Sequence, residues 1–349
     1  MTPMGHGIGK RVGWYRAIAR PLFFALPPES AHRVAHALLG LPLPWERLGD
    51  ADRDPRLRVR LAGIELANPV GLAAGFDKRG SLLGALGRLG FGYVVGGTFT
   101  RRHREGNPSP RIARYRHRAS MTNAMGLPNP GAEAAATTLR STPRTSPRLA
   151  SIADEDLVDV LETHALLEPH VDAVELNASC PNVSWGRDRD NEHHLETLVR
   201  ELGRRRSVPL FVKLPPFRSA IEREVVLALA RIAQEGGADG LTCSNTLPVR
   251  DARLATGAGG LSGRALFEGT LAIVEDMARE TGRELSINAS GGIVTPADAL
   301  ACLQAGATTV QVYTALIFEG PGVVGELTAG IASARRRASS AAAGRTGGS

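Results

Sequence analysis

The sequence predicts an α/β fold: a (β/α)8 barrel preceded by an N-terminal two-helix extension. Three observations predict it. From residue 60 onward, short apolar β-prone runs alternate with longer helical patterns eight times over. The unusual polar residues gather at the C-terminal ends of those runs, the end where such barrels carry their chemistry. The first run is followed by GFDKRG, whereas a doubly wound sheet, the alternative architecture, wants a G-x-G-x-x-G turn there.

The extension comes first in the chain, over residues 1–45. Trp14, Tyr15, Ala17, Ile18, Leu22, Phe23, Phe24 and Leu26 make an apolar segment dotted with arginines, which Pro21 is expected to interrupt and Pro27-Pro28 to end. Ala31, Val34, Ala35, Leu38 and Leu39 fall at i, i+3, i+4, i+7 and i+8, one stripe of a helix. Pro28 or Ser30 starts that helix, Gly40 and Pro42 stop it, and His32, Arg33 and His36 lie off the stripe. Two short amphipathic helices with a basic face suit a cap packed on the main domain or an anchor lying on a bilayer, and the residues by themselves favour the cap. Arginine breaks the apolar region and no A-x-A site follows, which argues against a secretory signal.

The barrel is expected over residues 46–337. Its strands are read at 69–74, 92–98, 148–152, 173–178, 209–214, 239–244, 285–290 and 309–314, the third carrying the weakest pattern. Helical patterns lie between them at 155–167, 194–205, 219–236, 264–281 and 296–305. The last dozen residues, 338–349, are mostly Ala, Ser and Gly, and a disordered tail is expected there.

Composition narrows the function classes. The chain has 349 residues, 43% of them apolar, enough for a substantial core. No stretch approaches 18 uncharged apolar residues, so no spanning helix is expected. Cys180, Cys243 and Cys302 are too few and too scattered for a disulfide framework or a four-cysteine metal cluster, and a reducing cytoplasm is the default. The net charge of +7 comes from dispersed arginines, which reads as a solvated basic surface rather than a nucleic-acid site. Only three of the 42 basic residues are lysines: Lys10, Lys78 and Lys213. The last two stand at the ends of strands one and five, where a compact ammonium suits a site that a guanidinium fork does not.

The strand ends then read as a site. Gly291-Gly292 and Tyr313-Thr314 supply exposed backbone N–H groups after strands seven and eight, and Gly259–Gly263 is read as a third glycine-rich turn, so a phosphate-bearing cofactor is expected. Lys213, amid apolar neighbours, needs an anionic partner: a reduced flavin, or a barrel carboxylate. Cys180 lies in a strand-end loop between Asn177 and Asn182, where a thiol can serve as general base, whereas Cys302 reads as a small buried apolar residue. Asn123, Asn129 and Asn245 add further amides able to grip a cyclic imide.

Together, YRAIARPLFFALPPESAHRVAHALL (15–39), NPVGLAAGFDKRG (68–80), GTFTRRHREGNPSPRI (97–112), GGLSGR (259–264) and QVYTALIFEGPG (311–322) make the chain similar, from about Tyr15 to Leu327, to the dihydroorotate dehydrogenases. The N-terminal part resembles the membrane-associated, quinone-reducing class 2 enzymes. The resemblance implies oxidation of (S)-dihydroorotate to orotate in pyrimidine biosynthesis, with FMN as cofactor, a quinone as acceptor, and peripheral attachment to the cytoplasmic side of the membrane through the extension. It implies that Lys78, Asn123, Asn177, Asn182, Asn245 and Thr246 hold the substrate. Ala74, Thr98, Asn177, Lys213, Ser244, Gly263, Gly292, Tyr313 and Thr314 are implied to hold FMN, with Cys180 as the base and Lys213 stabilising the reduced flavin. No metal site is expected.

The pocket departs from the class 2 pattern. Class 2 enzymes normally carry serine where Cys180 stands, and cysteine belongs to class 1. NAMGLPNPG (123–131) also reads as class 1, and RLASIADED (148–156) stands where class 2 has a GVNIGKNK-type motif. Competing expectations are a paralogue acting on another cyclic amide or acid or using a different acceptor; a tRNA dihydrouridine reductase, which would want a C-terminal RNA-binding helical domain where a short tail is expected; and a flavin-binding barrel without catalysis, against which Lys78, Cys180 and Lys213 together argue.

Overall fold

A computed structural model describes residues 13–179 and 190–346. Near the start of the described residues a π-helical turn, Tyr15–Ala19, runs directly into α1 (Arg20–Ala25). Pro21 does not interrupt the segment as expected. It sits in the first turn of α1, and the Arg20 N–H reaches back to the Tyr15 carbonyl. That wider turn accommodates a residue with no N–H and a ring that crowds the preceding turn. Next come α2 (Pro28–Leu39) and the short α3 (Glu46–Gly49).

Arginines hold the extension to the main body. Arg114 donates to the Phe23 and Leu26 carbonyls at 3.2 and 2.6 Å, and Arg116 donates to that of Phe24. These are the carbonyls that the end of α1 leaves without helical partners. The Arg114 guanidinium also lies 4.6 Å from the centre of the Phe24 ring. On α2, Glu29 accepts from Ser109 and from the backbone and side chain of Arg111. The predicted apolar stripe faces the barrel only in part. Ala31, Ala35 and Leu39 are half-buried, but Val34 and Leu38 are exposed, and His32 and His36 turn toward the barrel instead.

A hairpin of β1 (Val59–Leu61) and β2 (Ile64–Leu66) leads to the first barrel strand, β3 (Val70–Leu72), followed by α4 (Leu83–Arg88) and β4 (Tyr93–Phe99). The chain then makes β5 (Ile112–Tyr115), β6 (Ser120–Asn123), α5 (Ala132–Ser141), β7 (Arg148–Ile152), α6 (Leu157–Leu167) and β8 (Ala173–Asn177). Beyond these lie α7 (Asp190–Arg205), β9 (Leu210–Leu214), α8 (Ala220–Glu235), β10 (Gly240–Cys243), β11 (Leu247–Arg250) and β12 (Ala258–Gly263). The chain closes with α9 (Phe267–Glu280), β13 (Ser286–Ser290), α10 (Pro296–Ala305), β14 (Thr309–Val312), α11 (Thr314–Glu319) and α12 (Val323–Thr346).

The eight strands β3, β4, β7, β8, β9, β10, β13 and β14 pair in that order, all parallel, and β14 closes on β3. The expected (β/α)8 barrel is the observed one, including its weakest strand, which is wholly buried. Alternate residues face inward. At the N-terminal end the interior is apolar: Leu61 and Leu66 of the hairpin plug it against Tyr93, Leu149, Ala173 and Phe211. One layer higher it turns polar. Thr242 donates to Glu175, Asn288 to Thr242 and Thr309 to Asn288, at 2.8, 3.3 and 2.6 Å, and the Tyr93 hydroxyl lies 2.8 Å from that of Thr309. The outward faces pack on the helices in the main apolar core.

Insertions after β4 and β10 combine into a second, antiparallel sheet of order β11-β12-β6-β5. Gly259–Gly263 is therefore mostly strand and not the turn expected from its glycines. Ladder pairing with Leu247–Arg250 and Ser120–Asn123 needs only backbone, and a Cβ on Gly260 would collide with the Thr246 side chain. The tail is a second correction: α12 continues through Ala338 to Thr346. Alanine has the highest helix propensity, and the run of Ala after residue 337 extends a helix already started on the core. Among the described residues no helix is long and apolar enough to cross a membrane.

Candidate active site

A cavity of about 1560 Å³ opens at the C-terminal mouth of the barrel, beneath the second sheet. Residues singled out in the sequence line it from every side: Ala74 and Lys78 after β3, Thr98 on β4, Asn123 on β6, Asn177 on β8 and Lys213 on β9. Ser244, Asn245 and Thr246 after β10, Gly263 on β12, Gly292 after β13, and Tyr313 and Thr314 after β14 complete it. Cys180 and Asn182 lie outside the described residues.

The loop after β3 is organised by Asp77, whose buried carboxylate accepts from the backbone N–H groups of Arg79, Gly80 and Leu82 at 3.1, 2.9 and 2.6 Å. This fixes the adjacent Lys78, whose Nζ donates to the Gly75 carbonyl at 2.5 Å. Burial pushes the Lys78 ammonium down to about 8, with Asp77 opposing the shift and Arg111 adding to it.

A hydrogen-bonded chain runs along the rim across four strand ends. Asn245 Nδ2 donates to Ser179 Oγ at 2.7 Å, Ser179 Oγ to Asn177 Oδ1 at 2.8 Å, and Asn177 Nδ2 to Thr98 Oγ1 at 3.2 Å. The Thr98 hydroxyl meets that of Ser151 at 3.0 Å. The Asn245 carbonyl oxygen accepts from the Thr246 N–H at 2.8 Å, which fixes the orientation of its amide.

On the cavity floor, Lys213 is 6% exposed and its Nζ lies 4.0 Å from Oε1 of the fully buried Glu175. The two glycines at the opposite wall have backbone geometry that side chains resist: φ is +94° at Gly263 and +72° at Gly292. A Cβ on the first would meet the Ala119 carbonyl and on the second the Phe267 backbone. Tyr313 donates to the Gly75 carbonyl at 3.3 Å, and burial pushes its phenol up to about 12, so it stays protonated. Thr314 donates to Ser262 at 3.0 Å.

Several residues were not singled out from the sequence. Ser179 links the two asparagines, Ser151 ends the rim chain, and Gln311 lines the floor with its buried amide close to the Tyr93 hydroxyl. Glu175 and Gln311 stand two residues before Asn177 and Tyr313, so strand parity alone would have found them. Asn129, read as one more amide for a ligand, is instead a buried loop staple. It donates to Thr100 and the Leu127 carbonyl and accepts from the N–H groups of Thr100 and Gly131. Cys302 is fully buried in α10, as read. Among the described residues no cluster of His, Cys, Asp or Glu could hold a metal ion.

Comparisons with known proteins agree with this architecture. The family described as "Dihydroorotate dehydrogenase" matches residues 56–334. A protein of Kineococcus radiotolerans named "Dihydroorotate dehydrogenase (quinone)" is 37% identical, over 90% of this chain and 95% of its own. One of the same name from Paracidovorax citrulli is 34% identical, over 88% and 94%. Among solved structures, that of an Eimeria tenella enzyme described as DHODH in complex with ferulenol superposes with a TM-score of 0.77 at 30% identity, covering 89% of this chain and 92% of its own.

Proposed function

The chain belongs to the dihydroorotate dehydrogenase family, and from that premise we propose that its barrel mouth oxidises (S)-dihydroorotate to orotate with bound FMN, passing the electrons to a quinone. The observation that carries this reading is the convergence of two lysines and a linked set of asparagines on one cavity. The family is flavin-dependent, and FMN fits the residues present. The cavity has room for cofactor and substrate together, the glycine backbones at Gly263 and Gly292 allow close approach, and the Lys213 ammonium stands beyond hydrogen-bond length from its carboxylate partner.

Gly263, Gly292, Tyr313 and Thr314 would hold its phosphate end, Ala74, Thr98, Asn177 and Ser244 would line its ring, and Lys213 would face the part of the ring that gains charge. The bound cofactor would supply two-electron redox chemistry, taking a hydride equivalent from the substrate carbon and passing two electrons with their protons to the quinone. Lys78 binds the substrate carboxylate by charge, while Asn123, Asn177, Asn182, Asn245 and Thr246 orient its imide. The rim chain holds the amides of Asn177 and Asn245 in place, so a cyclic imide finds its donors and acceptors already oriented. Cys180, three residues beyond Asn177 in sequence, takes the proton from C5 of the substrate. Lys213 supplies positive charge where electron density accumulates.

The acceptor and the membrane belong to the extension. Nine of the twelve large apolar side chains that stand exposed among the described residues fall before residue 50, from Trp14 to Leu48. Such a concentration is unusual for a soluble face and suits burial in a bilayer interface. The exposed Arg33 accompanies it and suits anionic headgroups, whereas Arg16 is paired with Glu319 and Arg20 donates to the Phe318 carbonyl. The quinone then enters between α1 and α2, and the enzyme sits peripherally on the cytoplasmic side of the membrane.

Adding dihydroorotate anaerobically to the purified protein tests the reading. Bleaching of a flavin absorption band supports it, and a flavin that stays oxidised sinks it. Reoxidation by ubiquinone or menaquinone analogues, with fumarate ineffective, supports the quinone as acceptor.

A further inference from the structure

We propose that Glu175 is a positioning residue for this reaction: from the neighbouring strand it faces the Lys213 ammonium as its counter-ion and holds it at the mouth without consuming its N–H donors. The inference rests on the placement of the flavin beside Lys213 described above.

An ammonium buried to the extent of Lys213 is costly unless an anion faces it. Glu175 supplies that anion through Oε1 at 4.0 Å. The distance decides the role. It is close enough for strong charge–charge attraction inside the barrel, yet too long for a hydrogen bond. A carboxylate at 2.8 Å would lock the lysine into a closed pair. At 4.0 Å it supports the charge and leaves the donors for a group in the cavity.

Glu175 itself cannot swing away. Its Oε2 accepts from Thr242, which is tied through Asn288 and Thr309 to the Tyr93 hydroxyl, a chain across β10, β13, β14 and β4. Oε1 has no hydrogen-bond partner, so the fixed carboxylate keeps one oxygen facing the lysine. Branched aliphatic residues commonly fill this layer of such barrels, so a polar layer beneath the site calls for a reason. The remaining titratable groups nearby do not compete. Tyr93 is kept protonated by burial, Tyr313 likewise, Cys243 packs outward among the helices, and Lys78 stands on the loop after β3.

The scarcity of lysine makes the test direct. Isotope-labelled lysine gives three side-chain signals in the full-length protein as purified, and that of Lys213 is identified by its loss in Lys213→Arg. In Glu175→Gln, which keeps the shape and can still accept from Thr242, the Lys213 signal moves and the flavin midpoint potential falls, because the cation at the flavin is no longer held; loss of the Glu175 charge by itself would raise that potential. Glu175→Asp, whose charge is retained but drawn back, gives an intermediate fall. An unmoved Lys213 signal in both variants, or a potential that rises in Glu175→Gln, overturns the proposal. If Glu175→Gln does not fold, the aspartate variant decides alone, an intermediate fall supporting the proposal and none overturning it. The lysine signal does not depend on turnover, so a failure of the functional reading would leave this measurement standing.

Discussion

His36 Nε2 stands 2.8 Å from the carbonyl oxygen of Phe76, and the two rings stack with centroids 5.4 Å apart. The contact joins α2 to the loop that carries Lys78. His32 lies against both rings, at 4.2 Å from His36 and 5.6 Å from Phe76, and Phe76 in turn meets the edge of Tyr313 at 5.8 Å. A row of rings thus runs from the extension to the cavity wall. Burial keeps both imidazoles neutral, pushing His32 down to about 2 and lowering His36 as well.

A neutral His36 has one N–H, and its position against a carbonyl assigns that proton to Nε2. His36→Phe keeps the stack and discards the hydrogen bond. It is expected to cost about 1 kcal/mol of stability, read by thermal melting. The KM for the quinone should rise while that for dihydroorotate changes little, because the contact lies on the extension side of Phe76. A larger effect on dihydroorotate would place the contact on the substrate path instead.

Lys78 carries a pH dependence. With its ammonium near 8, orotate affinity is flat from pH 6 to 7 and falls above 8, to about tenfold weaker at pH 9. Stability moves the other way. The unfolded lysine titrates near 10.4, so between about 8 and 10.4 the unfolded chain binds the extra proton and stability rises with pH. Lys78→Met should remove both effects. Orotate titrations and melting curves compared with the wild type across pH 6–10 check them together.

Asp77 is the support for that lysine. In Asp77→Asn, one of the two oxygens that accept backbone N–H groups becomes a donor, leaving a buried N–H facing another. A loss of about 1–3 kcal/mol in stability is expected. The Lys78 pKa also falls further, since the Asp77 charge raises it, so the break in orotate affinity moves below pH 8. A variant with wild-type stability and an unmoved break would show that the loop is held by other contacts.

Much of this was legible in the sequence because the barrel repeats a simple pattern. Strand β7, the weakest in pattern, was still readable from its place in the count. The cavity residues were legible where they sit just past a strand end, as Lys78, Asn245 and Thr314 do. Glu175 was not, because it lies within a strand and reads as part of an apolar run until its inward parity is considered. Pro21 and the tail depart from their expected structure for local reasons. A π-turn absorbs a proline that ordinary α geometry would reject, and low-complexity Ala is also good helix former when a core-anchored helix precedes it. His32 and His36 were off the apolar stripe by composition, yet the helix turns them inward because their rings find Phe76 and its carbonyl.

The exposed face of the extension predicts membrane binding that can be separated from chemistry. Trp14, Ile18 and Leu22 lie at i, i+4 and i+8, exposed by 49, 54 and 68%. Ile18→Glu with Leu22→Glu removes two large apolar groups, each worth about 1.5–3 kcal/mol on burial, from the centre of that ridge. Co-sedimentation with vesicles containing anionic lipid should fall more than tenfold. Anaerobic flavin reduction by dihydroorotate should be unchanged. Retained vesicle binding would assign this face to a protein contact.

Cys180 provides the sharpest test of the substrate chemistry. A thiol ionises near 8.5 in water, far below a serine hydroxyl, so a cysteine base works at lower pH than a serine base in the same frame. Cys180→Ser should keep activity at high pH and lose it progressively toward neutrality. Cys180→Ala should slow anaerobic flavin reduction by about 10²–10⁴-fold at every pH, the usual worth of a positioned base. Stopped-flow flavin bleaching across pH 6–10 separates the two patterns from the quinone half-reaction. If Cys180→Ala stays within tenfold of the wild type, the thiol is not the base. Attention then passes to Ser179, whose hydroxyl already bridges Asn177 and Asn245 at the rim.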